Sequence, residues 1–253
     1  MKTRERRNWL LTRLEDQKHL TIAKLAAELD ISSMTIRRDC QRLVEMGLAV
    51  PVYGGIAYVE GGATLPTLKA REQYMLSEKN SIASYCASMV TEGNAIYLDA
   101  GSTVMSIANA LSKRKDIAVL SHSLPIQNLL AGSKGIQLFG VPGIYHTDTR
   151  GYFGDLTCRF IRGFRLDIAF LGSSSVNAET GLTSPDPFDQ ALKRTLVETA
   201  RKVVLAVDHT KINHETFLQV CELNAIDQIV TDKKADAAFI DKARQLSVDV
   251  VQI

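Results

Sequence analysis

From residue 76 onward the chain alternates short apolar runs with helical patterns, and this alternation restricts the fold more than any other feature of its 253 residues. The runs Ala95–Leu98, Ile117–Leu120, Ile136–Phe139, Ile168–Leu171, Val203–Val207, Ile226–Val230 and Val248–Val251 read as strands, and helical periodicity fits 77–91, 103–113, 124–131, 187–201 and 236–246. Strands this rich in apolar residues must be covered on both faces. Joined by helices, they predict an α/β domain around a mainly parallel sheet.

Ligands of such sheets lie beyond the carboxyl ends of the strands, and here those ends are polar. Asp99-Ala100-Gly101-Ser102-Thr103 leads from the first run into a helix, whose leading amides and positive end favour a phosphate. Ser121-His122-Ser123 follows the second run, Gly172-Ser173-Ser174-Ser175 the fourth and Asp208-His209-Thr210-Lys211 the fifth. Any one of these loops could be ordinary helix capping, because Ser and Thr are preferred caps everywhere. Gathered at one edge, they favour a binding site. Lys193 and Lys211 are candidate cations for an anionic ligand, or else solvated surface lysines.

The front of the chain has a different texture. Leu10, Leu11 and Leu14 form one apolar stripe of a helix from Thr3 to about Asp16. After the break at 17–19, Thr21 can cap a short helix carrying Ile22, Leu25, Ala26 and Leu29, which ends near Asp30. Ser32 can cap a third helix, with Ile36, Cys40 and Leu43 turned inward and an end before Gly47. This is the spacing of a helix-turn-helix, whose second helix enters the major groove of double-stranded DNA. Ser32, Ser33, Met34, Arg37, Arg38 and Gln41 then face outward, with Thr35 at the boundary. Arg is suited to paired donation to guanine, and Ser and Thr hydroxyls suit phosphates or bases. Arginines on a helix are more often a solvated face; their position in this motif favours DNA. The run 48–59 reads as two short strands about Gly54-Gly55, a hairpin wing. Gly and Pro in 60–66 mark a linker, giving expected domains at 1–57 and 76–253 with a linker over 58–75.

Composition narrows the alternatives. No uncharged apolar stretch reaches the roughly 18 residues of a membrane span, and no signal-peptide pattern follows the basic N-terminus, so a cytoplasmic protein without membrane contact is expected. The four cysteines are scattered without a Cys-x-x-Cys pair, and His209 and His214 would not share a helix face, so neither a disulfide framework nor a metal site is expected, and no cofactor either. Residues 1–57 hold ten Lys/Arg against seven Asp/Glu, while the remainder holds twenty against twenty-one, so the cationic excess lies at the front.

Both halves resemble the DeoR family of bacterial regulators. The front does so in Leu25-Ala26, the run from Ile31 to Asp39, Gly47 and Gly54-Gly55; the rear in Glu78-Lys79, Asp99 to Thr103, Gly181-Leu182-Thr183, Lys193, and Asp208 with Lys211. The resemblance implies a repressor of carbohydrate or carbon-source genes, released by a phosphorylated sugar and acting as a homo-oligomer, dimer or tetramer. It also implies a rear domain similar in fold to sugar-phosphate isomerases and coenzyme A transferases, which fits the phosphate-friendly loops without requiring catalysis, and no enzyme is expected. Asp99, Gly101, Ser102, Thr103, Lys193, Asp208 and Lys211 stand at matching positions as effector-site candidates, joined by His122 and Ser123 from the strand-end reading. The chain departs from the family pattern at Pro51 and Tyr53 in the wing, where Arg and His are usual, and at Cys40. In the rear it departs at 142–146, at His122 in place of Asn, and at 172–175, which lacks an Asp-Gly. Two other readings compete: an enzyme using Asp99 or Asp208 as general base, and a rear domain that only oligomerises.

Overall fold

The structure is a computed structural model describing residues 2–45, 48–58 and 75–253, which divide into two compact units, Met1–Met75 and Leu76–Ile253. The helix stop expected at Gly47 and nearly all of the linker expected over 58–75 lie outside the described residues.

In the front unit α1 (Thr3–Gln17), α2 (Ile22–Leu29) and α3 (Ser33–Glu45) enclose a core of Leu10, Leu11, Leu14, Leu25, Ile36, Cys40 and Leu43. Ser32 caps α3, its Oγ accepting from the Thr35 amide at 3.3 Å. Thr21 makes no such side-chain cap bond to α2; it ends a strand that the periodicity missed. This strand, β1 (His19–Thr21), pairs antiparallel with β3 (Gly55–Ala57), which also pairs with β2 (Val50–Val52), in the order β1-β3-β2. Leu20 opposite Ile56 pins the wing to the helical core. A Cβ on Gly55 would stand 1.9 Å from the Leu20 carbonyl oxygen, so that position requires glycine.

The rear unit is built on seven strands: β4 (Ala95–Leu98), β5 (Ile117–Ser121), β6 (Ile136–Gly140), β9 (Ile168–Leu171), β12 (Val203–Ala206), β14 (Gln228–Thr231) and β15 (Asp249–Gln252). Their order is β15-β14-β12-β9-β4-β5-β6 and every pairing is parallel. Side chains alternate between two apolar layers. Ile96 and Leu98 meet α4 (Leu76–Ser88), α5 (Ser102–Leu111) and α6 (Leu124–Leu130), while Tyr97 points to the layer of α7 (Asp155–Arg162), α8 (Pro187–Thr199) and α9 (Ala237–Gln245). Each of the seven expected strands is present. Absent from the expectations are α7, the antiparallel hairpin β7 (Ile144–His146) with β8 (Gly151–Phe153), and a second sheet of β10 (Ser175–Asn177), β11 (Gly181–Ser184) and β13 (Leu218–Cys221). No helix among the described residues is long and apolar enough to cross a membrane.

Candidate functional site

On α3 and the capping residue before it, Ile36, Cys40 and Leu43 are buried while Ser32, Ser33, Met34, Arg37, Arg38 and Gln41 are exposed and Thr35 is half-buried, its hydroxyl bonded to that of Ser32 at 2.9 Å. Arg42 also lies on the outer side. The helix is held from behind by Asp39, a buried carboxylate that accepts from Arg6 Nε at 2.5 Å and Arg7 Nε at 2.7 Å on α1. Nothing in the periodicity distinguished Asp39 from its outward neighbours, although it sits between the inward Ile36 and Leu43. The wing tip carries Tyr53, fully exposed.

In the rear unit, parallel strands place the loops after β4, β5, β9 and β12 at one edge of the sheet. Asp99 is fully buried there. Its Oδ1 accepts from the Ala100 amide at 2.8 Å and its Oδ2 from the Gly172 amide at 3.0 Å, which ties the ends of β4 and β9 together. Lys193, from α8, reaches to 3.6 Å from Asp99 Oδ2 and donates to both carboxylate oxygens of Asp189, at 2.6 and 2.8 Å. Asp189 in turn accepts from the Ser184 hydroxyl at 2.7 Å. Of the two expectations for this lysine, an anion partner or a solvated surface group, the second does not hold, because it is almost wholly withdrawn from solvent. It is 6% exposed, and its charge is already answered by carboxylates.

His122 completes this cluster. Its Nδ1 lies 2.8 Å from the Tyr97 hydroxyl, and its ring packs edge-on against Phe153 of β8. His122 Nε2 is buried with no hydrogen-bond partner among the described residues, and stands 4.0 Å from Asp99 Oδ1. That separation is too long for a hydrogen bond. Nor is it an ion pair, because burial pushes the imidazole pKa down to about 3, with Asp189 opposing and Lys193 assisting. Burial raises Asp99 to about 6, Lys193 pulling it down and Asp189 pushing it up. Burial works against the charge of Lys193, yet Asp189 and Asp99 overcome it and hold its pKa above the ordinary value. Burial likewise disfavours the Asp189 carboxylate, and Lys193 more than compensates, leaving its pKa low. The cluster thus holds one cation between two carboxyl groups beside a neutral imidazole.

Gly101 precedes α5 with φ +121°, and Ser102 and Thr103 begin that helix, nearly buried, directly after Asp99. Ser123 is buried, and its amide donates to Ser121 Oγ, which itself donates to the Leu98 carbonyl at 2.7 Å. Asp208 and Lys211 stand apart, after β12 and two strands from β4. Asp208 Oδ1 accepts from the Thr210 amide and hydroxyl, and the Lys211 amide donates to the Asp208 carbonyl. The structure brings Asp99, His122 and Lys193 together and leaves Asp208 and Lys211 bonded within their own loop. Sequence reasoning missed Asp189 and Tyr97. Asp189 was detectable as a carboxylate four residues before Lys193 on one helix; Tyr97 was hidden inside an apolar strand. No group of three or more metal-ligating side chains occurs among the described residues.

Comparison with known proteins agrees with both units. Residues 6–61 match the family described as DeoR-like helix-turn-helix domain, and residues 75–233 the family described as DeoR C terminal sensor domain. An HTH-type transcriptional regulator of Haemophilus influenzae is 30% identical over 229 residues, covering 90% of this chain and 89% of its own. The glycerol-3-phosphate regulon repressor of Escherichia coli strain K12 is 27% identical over 232 residues, 92% of each chain. Ribose 5 phosphate isomerase A from Neisseria gonorrhoeae overlays with a TM-score of 0.39 at 19% identity, over 53% of this chain and 52% of that one. With a sensor-domain match over more than half its length and a helix-turn-helix match in front of it, the chain belongs to the DeoR family of transcriptional regulators.

Proposed function

We propose that the protein represses carbohydrate or carbon-source genes by binding double-stranded operator DNA through α3, and that a phosphorylated sugar or polyol at the rear edge releases it. The observation that carries this reading is the division of α3 into a buried Ile36-Cys40-Leu43 stripe and an exposed Ser33-Met34-Arg37-Arg38-Gln41 face. A rigidly backed helix with two arginines on its open side suits base-edge contact in the major groove. For the effector, the start of α5 at Gly101, Ser102 and Thr103 offers amides and a positive end to a phosphate, next to Asp99, His122, Ser123 and Lys193. Asp208 and Lys211 extend the same edge. The name of the E. coli relative supports a phosphorylated polyol or sugar as the ligand class.

We read the rear unit as a sensor without turnover, working in the cytoplasm as a homo-oligomer. In support, Lys193 is held protonated and is not a ready nucleophile, and His122 is held neutral with its Nδ1 engaged by Tyr97. The test is a mobility-shift titration on operator fragments selected from genomic DNA, with and without phosphorylated sugars. Arg37→Ala and Arg38→Ala are each expected to weaken specific binding by about 1–3 kcal/mol, and wild-type affinity should fall steeply with salt. Unchanged affinity in both variants would overturn the assignment of α3 as the reading element. Retention of the operator complex in every phosphorylated sugar would overturn the release mechanism.

A further inference from the structure

The cluster at the sheet edge contains an unanswered pair. His122 is wholly buried, its Nδ1 is engaged by the Tyr97 hydroxyl, and Nε2 has no partner among the described residues. The Tyr97 hydroxyl has no other acceptor among the described residues, which favours its donating to Nδ1; in that tautomer the neutral ring carries its own proton on Nε2, 4.0 Å from Asp99 Oδ1. Buried donors are almost always satisfied, and although a few other buried polar atoms among the described residues also lack a partner, this one lies inside the candidate site, where a ligand can supply it. Asp99 Oδ1 already accepts the Ala100 amide and retains a second lone pair. The gap is too wide for a direct bond, and its length is one that a single bridging oxygen spans: an atom about 2.8 Å from each partner subtends about 90° there. That atom must both accept from nitrogen and donate to a carboxylate. A hydroxyl does both, whereas a phosphate oxygen, a carbonyl or an ether only accepts.

The surroundings favour a ligand hydroxyl over a charged group. Phe153 stacks edge-on against the imidazole, and Tyr97 covers its other end. A Cβ on Gly151 would come within 2.8 Å of the His122 ring, so the hairpin closes tightly over that side. The slight exposure of Ser102, Thr103 and Lys193 marks the side on which the cluster meets solvent. A molecule with its phosphate at the start of α5 would point its carbon chain inward along that side.

We propose that the gap between His122 Nε2 and Asp99 Oδ1 seats one hydroxyl of the effector, which accepts from the imidazole and donates to the carboxylate. His122 is then a specificity residue, selecting ligands by a hydroxyl as well as by their phosphate. The inference rests on the effector-site reading above and adds to it the donor and acceptor that choose among phosphorylated ligands.

The test is calorimetric titration of the full chain with matched pairs: ribose 5-phosphate against 2-deoxyribose 5-phosphate, glucose 6-phosphate against 2-deoxyglucose 6-phosphate, and glycerol 3-phosphate against propane-1,2-diol 1-phosphate. Unphosphorylated glycerol and ribitol serve as further probes. In the wild type, one hydroxylated member should bind at least tenfold more tightly than its deoxy partner. His122→Phe should erase that difference by weakening the hydroxylated ligand alone, and His122→Gln, which keeps an N–H donor, should restore part of it. Because the matched pairs are read on the wild type, the result does not depend on either variant folding. Equal affinity within every pair means that only water occupies the gap and overturns the proposal, while leaving the phosphate reading intact. Binding of the neutral polyols with the same His122 dependence, but of no phosphorylated sugar, supports the hydroxyl seat and overturns the phosphate reading. Failure of both ligand classes to bind overturns both.

Discussion

Two buried side chains show what charge does at single positions in this protein. Asp39 gathers Arg6 and Arg7 behind the outward face of α3, so that face is oriented by a polar anchor as well as by Ile36 and Leu43. His122 does the opposite, since burial keeps it neutral with a pKa of about 3 against the ordinary 6.5. A histidine whose folded pKa is lowered costs nothing above pH 6.5, where both states are neutral. As pH falls from 6.5 toward 3, the unfolded chain takes up a proton that the folded chain refuses, and stability drops by up to about 1.4 kcal/mol per pH unit. Asp99, raised from 3.8 to about 6, acts with the reverse sign between those values: the folded state keeps a proton that the unfolded chain has lost. The wild type alone therefore shows a muted slope, and the informative quantity is its difference from His122→Phe. That difference, from urea unfolding at successive pH values, should rise from about pH 4 to 6.5 and level off above; a flat difference would show that His122 is not held neutral. At this scale the sequence was partly readable. Arg37 and Arg38 followed from helical periodicity, and Asp99 and Lys193 from strand ends and resemblance. The Asp189–Lys193–Asp99 pairing and the Tyr97–His122 bond join distant segments through tertiary contact, which no local pattern encodes.

Among the elements, length decided what could be read. The central strands of the large sheet are apolar on both faces and announce themselves, as do most of the helices between the strands. The three-residue strand His19–Thr21 holds one buried residue, Leu20, too little for a period of two to register. The hairpin of Ile144–His146 and Gly151–Phe153 was obscured by its exposed Ile144 and Tyr145, and Asp155–Arg162 by being only two turns long, too short for a helical period to register. The wing was found as a hairpin, but its third strand was not, and that strand explains Gly55. Gly55→Ala would drive a methyl into the Leu20 carbonyl and should cost about 2–4 kcal/mol by forcing β1 and β3 apart. Trp9, the chain's one tryptophan, lies in α1, so its fluorescence during urea unfolding reads the front unit selectively. An unchanged Trp9 midpoint in the variant would show that the wing does not depend on that close approach.

For the whole molecule, the proposed function is a coupling between two sites on separate units, and coupling free energies are reciprocal. If a phosphorylated sugar weakens operator binding by a given factor, operator DNA must weaken sugar binding by the same factor, typically about 5–150-fold. Titrating the effector in the absence and presence of saturating operator, and the operator in the absence and presence of saturating effector, should close that cycle. Unequal factors would show that the two ligands address different assemblies of the chain. The rear unit also separates scaffold from display. Its seven strands run one way, so their carboxyl ends open on a single edge, while the apolar layers above and below are sealed without them. For an engineer this makes the domain a chassis. Segments such as 99–103, 121–123 and 172–175 can be exchanged for those of a relative that answers another metabolite, together with the buried partners they touch, Tyr97, Phe153 and Lys193, turning one regulator into a series of biosensors.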